Sequence, residues 1–247
     1  MIPRRRYDFS LEGPIVGEWR ADTSPMYTTS ARTTLVSGNS DPIGSWSDLR
    51  GANHANIAAA GQRPTYNTNG LKPGFPGVVL DAVDDLLTTP SVSMLSGTIF
   101  VVGRIWYNQY NGLIKLSPTA ADVGVNGRIC YVSGNRSSWF MGTPSTSWYL
   151  YQGLPAYIDG DVILQSYGWG STSAGAFVRK NKATATGSAT GTYAQVTASM
   201  PLHFGRGYSN GHYSSVFSHV LAFGTLLDSA AVVRVETELS RIWRLGL

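Results

Sequence analysis

The pattern of apolar and polar positions changes period near the end of this chain. From Val220 to Thr225, Val220, Ala222 and Gly224 alternate with Leu221, Phe223 and Thr225, the two-residue period of a strand. Beyond Leu227 the period lengthens. Val232, Val235, Leu239 and Ile242 recur at helical spacing, with Trp243 beside them. Asp228 has the side chain to cap a first turn, and Arg241 and Arg244 fall where the helix dipole is negative. The spacing predicts one helix over 228–243. Upstream, short alternating runs are separated by turn residues. Strands are predicted over 15–22, around 33–36 and at Trp46, then over 78–88, 97–106, 111–117, 121–126, 128–133, 137–142 and 147–151. Further strands are predicted over 161–168, 174–180, 191–198, 201–206 and 212–224. Residues 23–42 read as a polar loop, and residues 50–76, rich in Gly, Asn, Pro and Ala, as largely irregular. A strand about every ten residues is the rhythm of a sandwich or jelly roll. No internal repeat points to a solenoid or propeller. The expected fold is all-β: a two-sheet antiparallel jelly-roll sandwich with one short C-terminal helix. Residues 15–247 form its domain, and residues 1–14, closed by Gly13-Pro14, form an N-terminal arm.

Composition narrows the classes. At 247 residues, with no Pro/Ser/Gly linker or charge run to divide it, the chain suits one large domain. Only 14% of residues are charged, while Gly, Ser, Thr, Tyr and Trp are abundant, as in a β-sandwich with aromatic loops. The lone Cys130, between Ile129 and Tyr131 in a predicted strand, allows no internal disulfide and reads as a buried thiol. No apolar run approaches the roughly 20 residues of a membrane span, so no membrane insertion is expected. The basic start Met1-Ile2-Pro3-Arg4-Arg5-Arg6 leads into polar residues and not the apolar core of a signal peptide. The net charge is +4, and Arg4, Arg5 and Arg6 supply three of those charges. Without a broad basic face, nucleic acid is not an expected partner.

Several segments then carry a resemblance. Gly17-Glu18-Trp19-Arg20-Ala21-Asp22 looks like an opening W-x-D/A strand. Ser45-Trp46-Ser47-Asp48-Leu49-Arg50-Gly51-Ala52-Asn53-His54-Ala55 looks like x-W-x-D-x-S-G-x-x-x-H-A. Gln62-Arg63-Pro64-Thr65-Tyr66 matches x-R-P-T-Y, and Val78 to Leu87 matches V-x-F-D-G-x-D-D-Y-L. At the end, Leu227-Asp228-Ser229 and Ile242-Trp243-Arg244-Leu245-Gly246-Leu247 fit the closing strand–helix pattern. Together these resemble the concanavalin A-like lectin/glucanase jelly rolls, also called laminin-G-like domains, in their bacterial and phage branch. The resemblance covers both ends of the chain, and residues 105–200 only by strand rhythm. It implies the sandwich fold. A fold common in extracellular carbohydrate binding, on a chain without a recognisable export signal, fits a phage structural protein, because particles leave the cell by lysis. The expectation is a non-enzymatic virion component, exposed on capsid or tail, that binds host-surface glycan. The alternatives are a purely structural decoration or spike module and a glycan hydrolase. Expected partners are other virion proteins, further copies of this chain and host polysaccharide. No cofactor and no metal are expected.

The candidate chemistry is sparse. Glycoside hydrolysis uses two facing carboxylates roughly 5 to 9.5 Å apart. The E-x-D-x-E strand that glucanases of this superfamily use for the purpose is absent. Asp159-Gly160-Asp161 reads as a turn, Glu236 and Glu238 stand two apart on a helix, and Asp81, Asp84 and Asp85 are explained by turn formation. Gly207-Tyr208-Ser209-Asn210-Gly211 fits G-x-S-x-G, but a strand follows it, so it reads as a hairpin loop and not a nucleophile elbow. His54, His203, His212 and His219 lack zinc spacing, and His203 and His219 fall in strands. Asp122, Asp159 and Asp161 could serve calcium as oxygen ligands and read first as turn residues. Aromatic residues cluster between Trp106 and Trp169. Trp139, Tyr151 and Trp169, each in a turn-rich stretch, are the expected sugar-stacking residues. Arg4, Arg5, Arg6, Tyr7 and Phe9 form a dense cationic and aromatic cluster, expected to dock onto a partner chain.

Overall fold

The computed structural model describes residues 7–106, 110–118, 128–133, 136–141, 149–150, 158, 160–184, 193, 195–205 and 214–247. The first strands are β1 (Ile15–Arg20), β2 (Met26–Tyr27), β3 (Ser45–Trp46) and β4 (Ala55–Asn56). Next come β5 (Thr65–Lys72), β6 (Phe75–Asp81), β7 (Leu87–Val92), β8 (Gly97–Ile105) and β9 (Tyr110–Leu116). Then follow β10 (Arg128–Ser133), β11 (Arg136–Met141), β12 (Tyr149–Leu150) and β13 (Asp161–Trp169). The last are β14 (Phe177–Lys180), β15 (Ala183–Thr184), β16 (Met200–Phe204), β17 (Ser214–Phe223) and the helix α1 (Ser229–Trp243). They form two antiparallel sheets. One runs β15-β14-β13-β8-β17-β6-β5, with β1 also paired to β17, and the other runs β12-β11-β10-β9-β16-β7-β4-β3-β2.

The first sheet is buried on both faces. On β8, Ile99, Val101 and Ile105 point into the sandwich, while Phe100 and Val102 point away from it into a second apolar cluster. β17 does the same: Val220 and Ala222 face the sandwich, Leu221 and Phe223 the other way. This is why both strands read as nearly continuous apolar runs. The long β17 serves two neighbours along one edge. Ser214 to Phe217 pair with β6, and a bulge at Ser218 precedes the pairing of His219 to Phe223 with β1.

The outer face of that sheet is covered by α1 and by residues 7–11. The Asp228 carboxylate accepts the Ala231 N–H at 2.7 Å and caps the helix. No Gly or Pro interrupts residues 229–243, and Val232, Val235, Leu239 and Trp243 lie along the buried stripe. Arg244, at φ 49°, closes the helix in the left-handed region. Asp8 caps a single 3-10 turn, Phe9–Leu11, which sinks Phe9 among Leu221, Leu239 and Trp243.

The two-sheet fold, the helix and the short strand at Trp46 agree with the sequence. Other boundaries differ for physical reasons. Residues 78–88 are two strands, because Asp85 accepts the Asp81 N–H and Asp81 the Val83 N–H, turning the chain at Ala82. The stretch read as irregular contains β5, whose side chains are half exposed over Thr65–Asn67 and so give a weak alternation. Among the described residues of 191–198, none is strand. The strand read at 33–36 is one bridge, Tyr27 to Leu35. The turn read at Asp159-Gly160-Asp161 places Gly160 at φ 79°, a conformation that suits glycine.

Two outcomes test this packing. Replacing Leu239, 1% exposed, with Asp puts an unpaired charge between helix and sheet, and no soluble folded protein is expected on expression. A soluble variant with an unchanged circular dichroism spectrum contradicts the assignment. Phe9→Ala leaves a cavity under the helix and is expected to lower stability by about 3 kcal/mol in urea denaturation. A loss below about 0.5 kcal/mol, the range of exposed sites, would show that residues 7–11 do not form part of the fold.

Candidate functional site

The site is built from the loop that carries the Trp46 to Ala55 motif. Asp48 is its organiser. One carboxylate oxygen accepts the N–H groups of Glu18 and Arg50, both at 2.9 Å, and the other accepts that of Asn53 at 3.3 Å. The Asp48 N–H donates to Nδ1 of His54 at 3.1 Å, and the Asn53 amide donates to the Val16 carbonyl at 2.8 Å. The motif is therefore a clamp. It folds the loop back on itself, fastens it to β1 and delivers the Arg50 side chain over Glu18.

Along β1 the alternation places Trp19 inside the sandwich and Glu18 and Arg20 on the outer face. Glu18 is 3% exposed. Nε of Arg50 donates to its Oε2 at 2.5 Å, and Nε2 of His219 lies 3.3 Å from its Oε1. The other nitrogen of His219, Nδ1, accepts the indole N–H of Trp243 at 3.1 Å. An indole nitrogen can only donate, so Nδ1 carries no proton and the imidazole is neutral, with Nε2 facing Glu18. Burial pushes the His219 pKa down, and the pull of Glu18 does not overcome it. Burial also opposes ionisation of Glu18, but the neighbouring His219 and the Arg50 guanidinium outweigh it and hold its pKa below the usual carboxylate range. The Arg20 guanidinium grips Asp22 through two bonds, of 3.0 and 2.7 Å.

These groups form the floor of an open cleft of about 370 Å³. Glu18 and Arg20 lie at its base, Leu49 and Arg50 form one wall, and residues 7–9 and Ile242 form the other. Asp8 is exposed at the mouth, 3.8 Å from Nη1 of Arg50. Tyr7 stacks edge-on to Phe9, and its hydroxyl donates to Glu12, which is itself held by Arg234. The lining thus mixes carboxylate acceptors, guanidinium donors and carbon surface. A second groove, bordered by Phe177, Leu226, Leu227 and Val232, is mostly apolar, and its Arg179 is bound to the buried Glu236 at 2.9 Å.

The sequence-predicted residues do not converge. Trp169 must be corrected: it is fully buried, it pairs with Gly97, on which a Cβ would come within 2.6 Å of its ring, and its N–H donates to the Met94 carbonyl. A sugar cannot stack on it. Trp139 lies on β11, opposite Cys130 of β10, in the other sheet. Tyr151 lies outside the described residues, as do Arg4, Arg5 and Arg6. Phe9 is also corrected. It is 2% exposed and packs on its own chain's His219, so it has no surface to offer a partner. Tyr7 is half-buried beside it. Asp122, Asp159 and residues 207–211 are outside the described residues, and Asp161 accepts the Ile158 N–H within its turn. His203 is a buried strand residue, bonded to Thr88 and to the Ser117 carbonyl. The Asp81, Asp84 and Asp85 carboxylates lie within 4.8 Å of one another. Burial, with Asp81 and Asp84 nearby, pushes Asp85 up to about 6. Glu18, Arg50 and Asp8 were missed as a site. The signal was available: each lies in a segment singled out for another reason, the opening strand, the clamp motif or the arm.

No protein-family model matches the chain, and no curated protein matches it. Solved structures do. The receptor binding domain of botulinum neurotoxin D is similar over 93% of this chain and 53% of that one, at TM-score 0.60 and 8% identity. Trypanosoma rangeli sialidase in complex with sialic acid is similar over 92% of this chain and 33% of that one, at TM-score 0.59 and 12% identity. Domain 4 of a GH43 extracellular arabinanase from Geobacillus stearothermophilus, in complex with arabinotriose, is similar over 91% of this chain and 99% of that one, at TM-score 0.58 and 8% identity. The chain therefore spans about a third of the sialidase and half of the toxin chain, but nearly all of the arabinanase domain. These likenesses establish the β-sandwich fold.

The buried imidazole has a pH signature. Unfolded, His219 takes up a proton near its ordinary pKa of 6.5, whereas folded it resists. Its contribution to stability is full above 6.5 and is lost as the pH falls below it. Glu18, whose pKa is lowered, acts in the same sense but only as the pH falls below its ordinary 4.5. Asp85, raised to about 6, acts oppositely: its contribution is present at low pH and is lost as the pH rises through 6. His54, depressed by burial and then by Arg32, follows His219. The difference between the wild type and His219→Gln isolates the buried ring. Denaturation between pH 7.5 and 5 is expected to show a steeper loss in the wild type. Parallel profiles would mean that His219 is not held neutral.

Proposed function

We propose that this chain is a non-enzymatic glycan-binding module displayed on a phage virion. The observation that carries glycan binding is the end-to-end correspondence with an arabinotriose-bound domain, covering 91% of this chain and 99% of that one. The treatment of the carboxylates supports the non-enzymatic part. Glu18 is tied to Arg50, Glu236 to Arg179 and Ser166, Glu238 to Arg241, and Glu12 to Arg234. A general acid in glycoside hydrolysis needs a raised pKa, whereas Glu18 and Glu12 are held below the usual carboxylate range by their partners. The virion setting is supported by the phage-branch resemblance of residues 45–87 and 227–247. Trp139 and Tyr151 remain the proposed stacking residues, and Arg4, Arg5 and Arg6 the proposed docking residues toward other virion proteins.

Hydrolysis is the second reading, and Asp85 favours it. It is a carboxyl raised to about 6 beside two other carboxylates, the combination that separates an acid from a base. One set of measurements sorts the readings. The full chain on a glycan array is expected to retain saccharides, with no reducing ends released from them, and immunogold labelling is expected to mark the particle surface. Reducing-end release that disappears in Asp85→Asn would make the protein a hydrolase. An array without a bound saccharide, together with surface labelling, would leave only a structural module.

A further inference from the structure

We infer that the cleft between Asp8 and Arg50 binds a neutral, polyhydroxylated ligand, a pentose or hexose unit of a glycan, and rejects acidic sugars. This rests on the glycan-binding reading and adds a site distinct from Trp139, which lies in the opposite sheet. The argument begins with charge. The lining holds two carboxylates, Asp8 and Glu18, and two guanidiniums, Arg20 and Arg50, so it is balanced. Each guanidinium already faces a carboxylate: Arg50 faces Glu18 at 2.5 Å and Asp8 at 3.8 Å, and Arg20 faces Asp22 at 2.7 Å. An incoming carboxylate would meet the like charges of Asp8 and Glu18. An incoming cation would meet the two arginines. A hydroxyl both donates and accepts, so it can bridge the pair without net charge.

The donor inventory agrees. Arg50 uses Nε on Glu18, and 3.8 Å to Asp8 is too long for a hydrogen bond, so among the described residues its terminal N–H groups donate to no acceptor. The Asp8 Oδ1 is held by Ser10, which fixes the carboxylate in place, and Asp8 remains exposed. Tyr7, Leu49 and Ile242 supply carbon surface for the C–H face of a sugar ring. The volume, about 370 Å³, is at the small end of the roughly 300–1,000 Å³ of ligand pockets, which suits one or two rings. The floor is rigid. Glu18 is fixed by His219 behind it, and the Asp48 clamp fixes the backbone of Arg50, so binding would order few groups.

The test is isothermal titration of the full chain with neutral oligosaccharides, arabinotriose among them, and with sialyllactose as the acidic probe. Neutral saccharide is expected to bind, with an affinity nearly independent of salt, and sialyllactose is expected not to bind. Asp8→Ala, at the exposed mouth, and Arg50→Gln are each expected to weaken binding at least about tenfold, the effect of losing a charge-assisted hydrogen bond. Asp8→Ala keeps the test valid if Arg50→Gln fails to fold. Neutral binding that survives both variants and is lost in Trp139→Ala overturns the cleft and leaves the glycan-binding reading standing. Sialyllactose binding as tight as the neutral sugars overturns the assigned ligand class. No binding of any probe by the unaltered chain overturns both.

Discussion

A sheet that is apolar on both faces must be covered twice, and the rest of this structure follows from that requirement. β8 and β17 carry Ile99, Val101, Val220 and Ala222 on one face and Phe100, Val102, Leu221 and Phe223 on the other. The nine-stranded sheet covers the first face. The second would leave a large apolar patch in water, and α1 and residues 7–11 close it. The helix is thus a structural lid whose sequence is dictated by the sheet beneath it.

Two polar pairings sit within this otherwise apolar seam. Glu236, fully buried, reaches Arg179 of β14 and Ser166 of β13. At the other end, Trp243 reaches His219, and His219 faces Glu18. Apolar contacts tolerate sliding, whereas a buried hydrogen-bonding group without its partner costs about 1–3 kcal/mol and a buried charge on the order of 3–5. The two pairings therefore fix where the helix lies along the sheet and where it stops. Its last turn places Ile242 opposite Leu49. The same buried carboxylate that registers the helix draws Arg50 across from the loop, and the cleft opens where helix, loop and N-terminal segment meet. Helix packing and the cleft floor share Glu18, which explains why a charged residue occupies a strand position otherwise suited to an apolar one.

The fold was legible because it depends on periodicity. The switch at Leu227 located the helix to within a residue, and the apolar runs along 97–106 and 212–224, bounded by turn residues, located the central strands. Legibility failed where local hydrogen bonding overrode the pattern. Asp81 and Asp85 break one apolar run into two strands, and β5 hides in a stretch rich in Asn and Gly. The site was less legible. Trp169 had the composition of a sugar-stacking residue, but its neighbour across the ladder is Gly97, and that open space takes the ring inward. Phe9 lay in a segment resembling a frayed arm, with no alternation to show that its ring is core. The motif around Asp48 was recognised as a pattern without a reason. The reason is the set of backbone N–H groups that Asp48 binds, one of them on Glu18, thirty residues away, which no local window can show.

The central claim is that closing the outer face of the sheet creates a neutral saccharide site between Asp8 and Arg50. The most direct measurement is a crystal structure of the full chain with arabinotriose. The account predicts a sugar ring in the cleft, with hydroxyls on the Arg50 terminal nitrogens and the Asp8 carboxylate and carbon atoms against Tyr7 and Ile242. A sugar bound elsewhere, with the cleft holding only solvent, would contradict it.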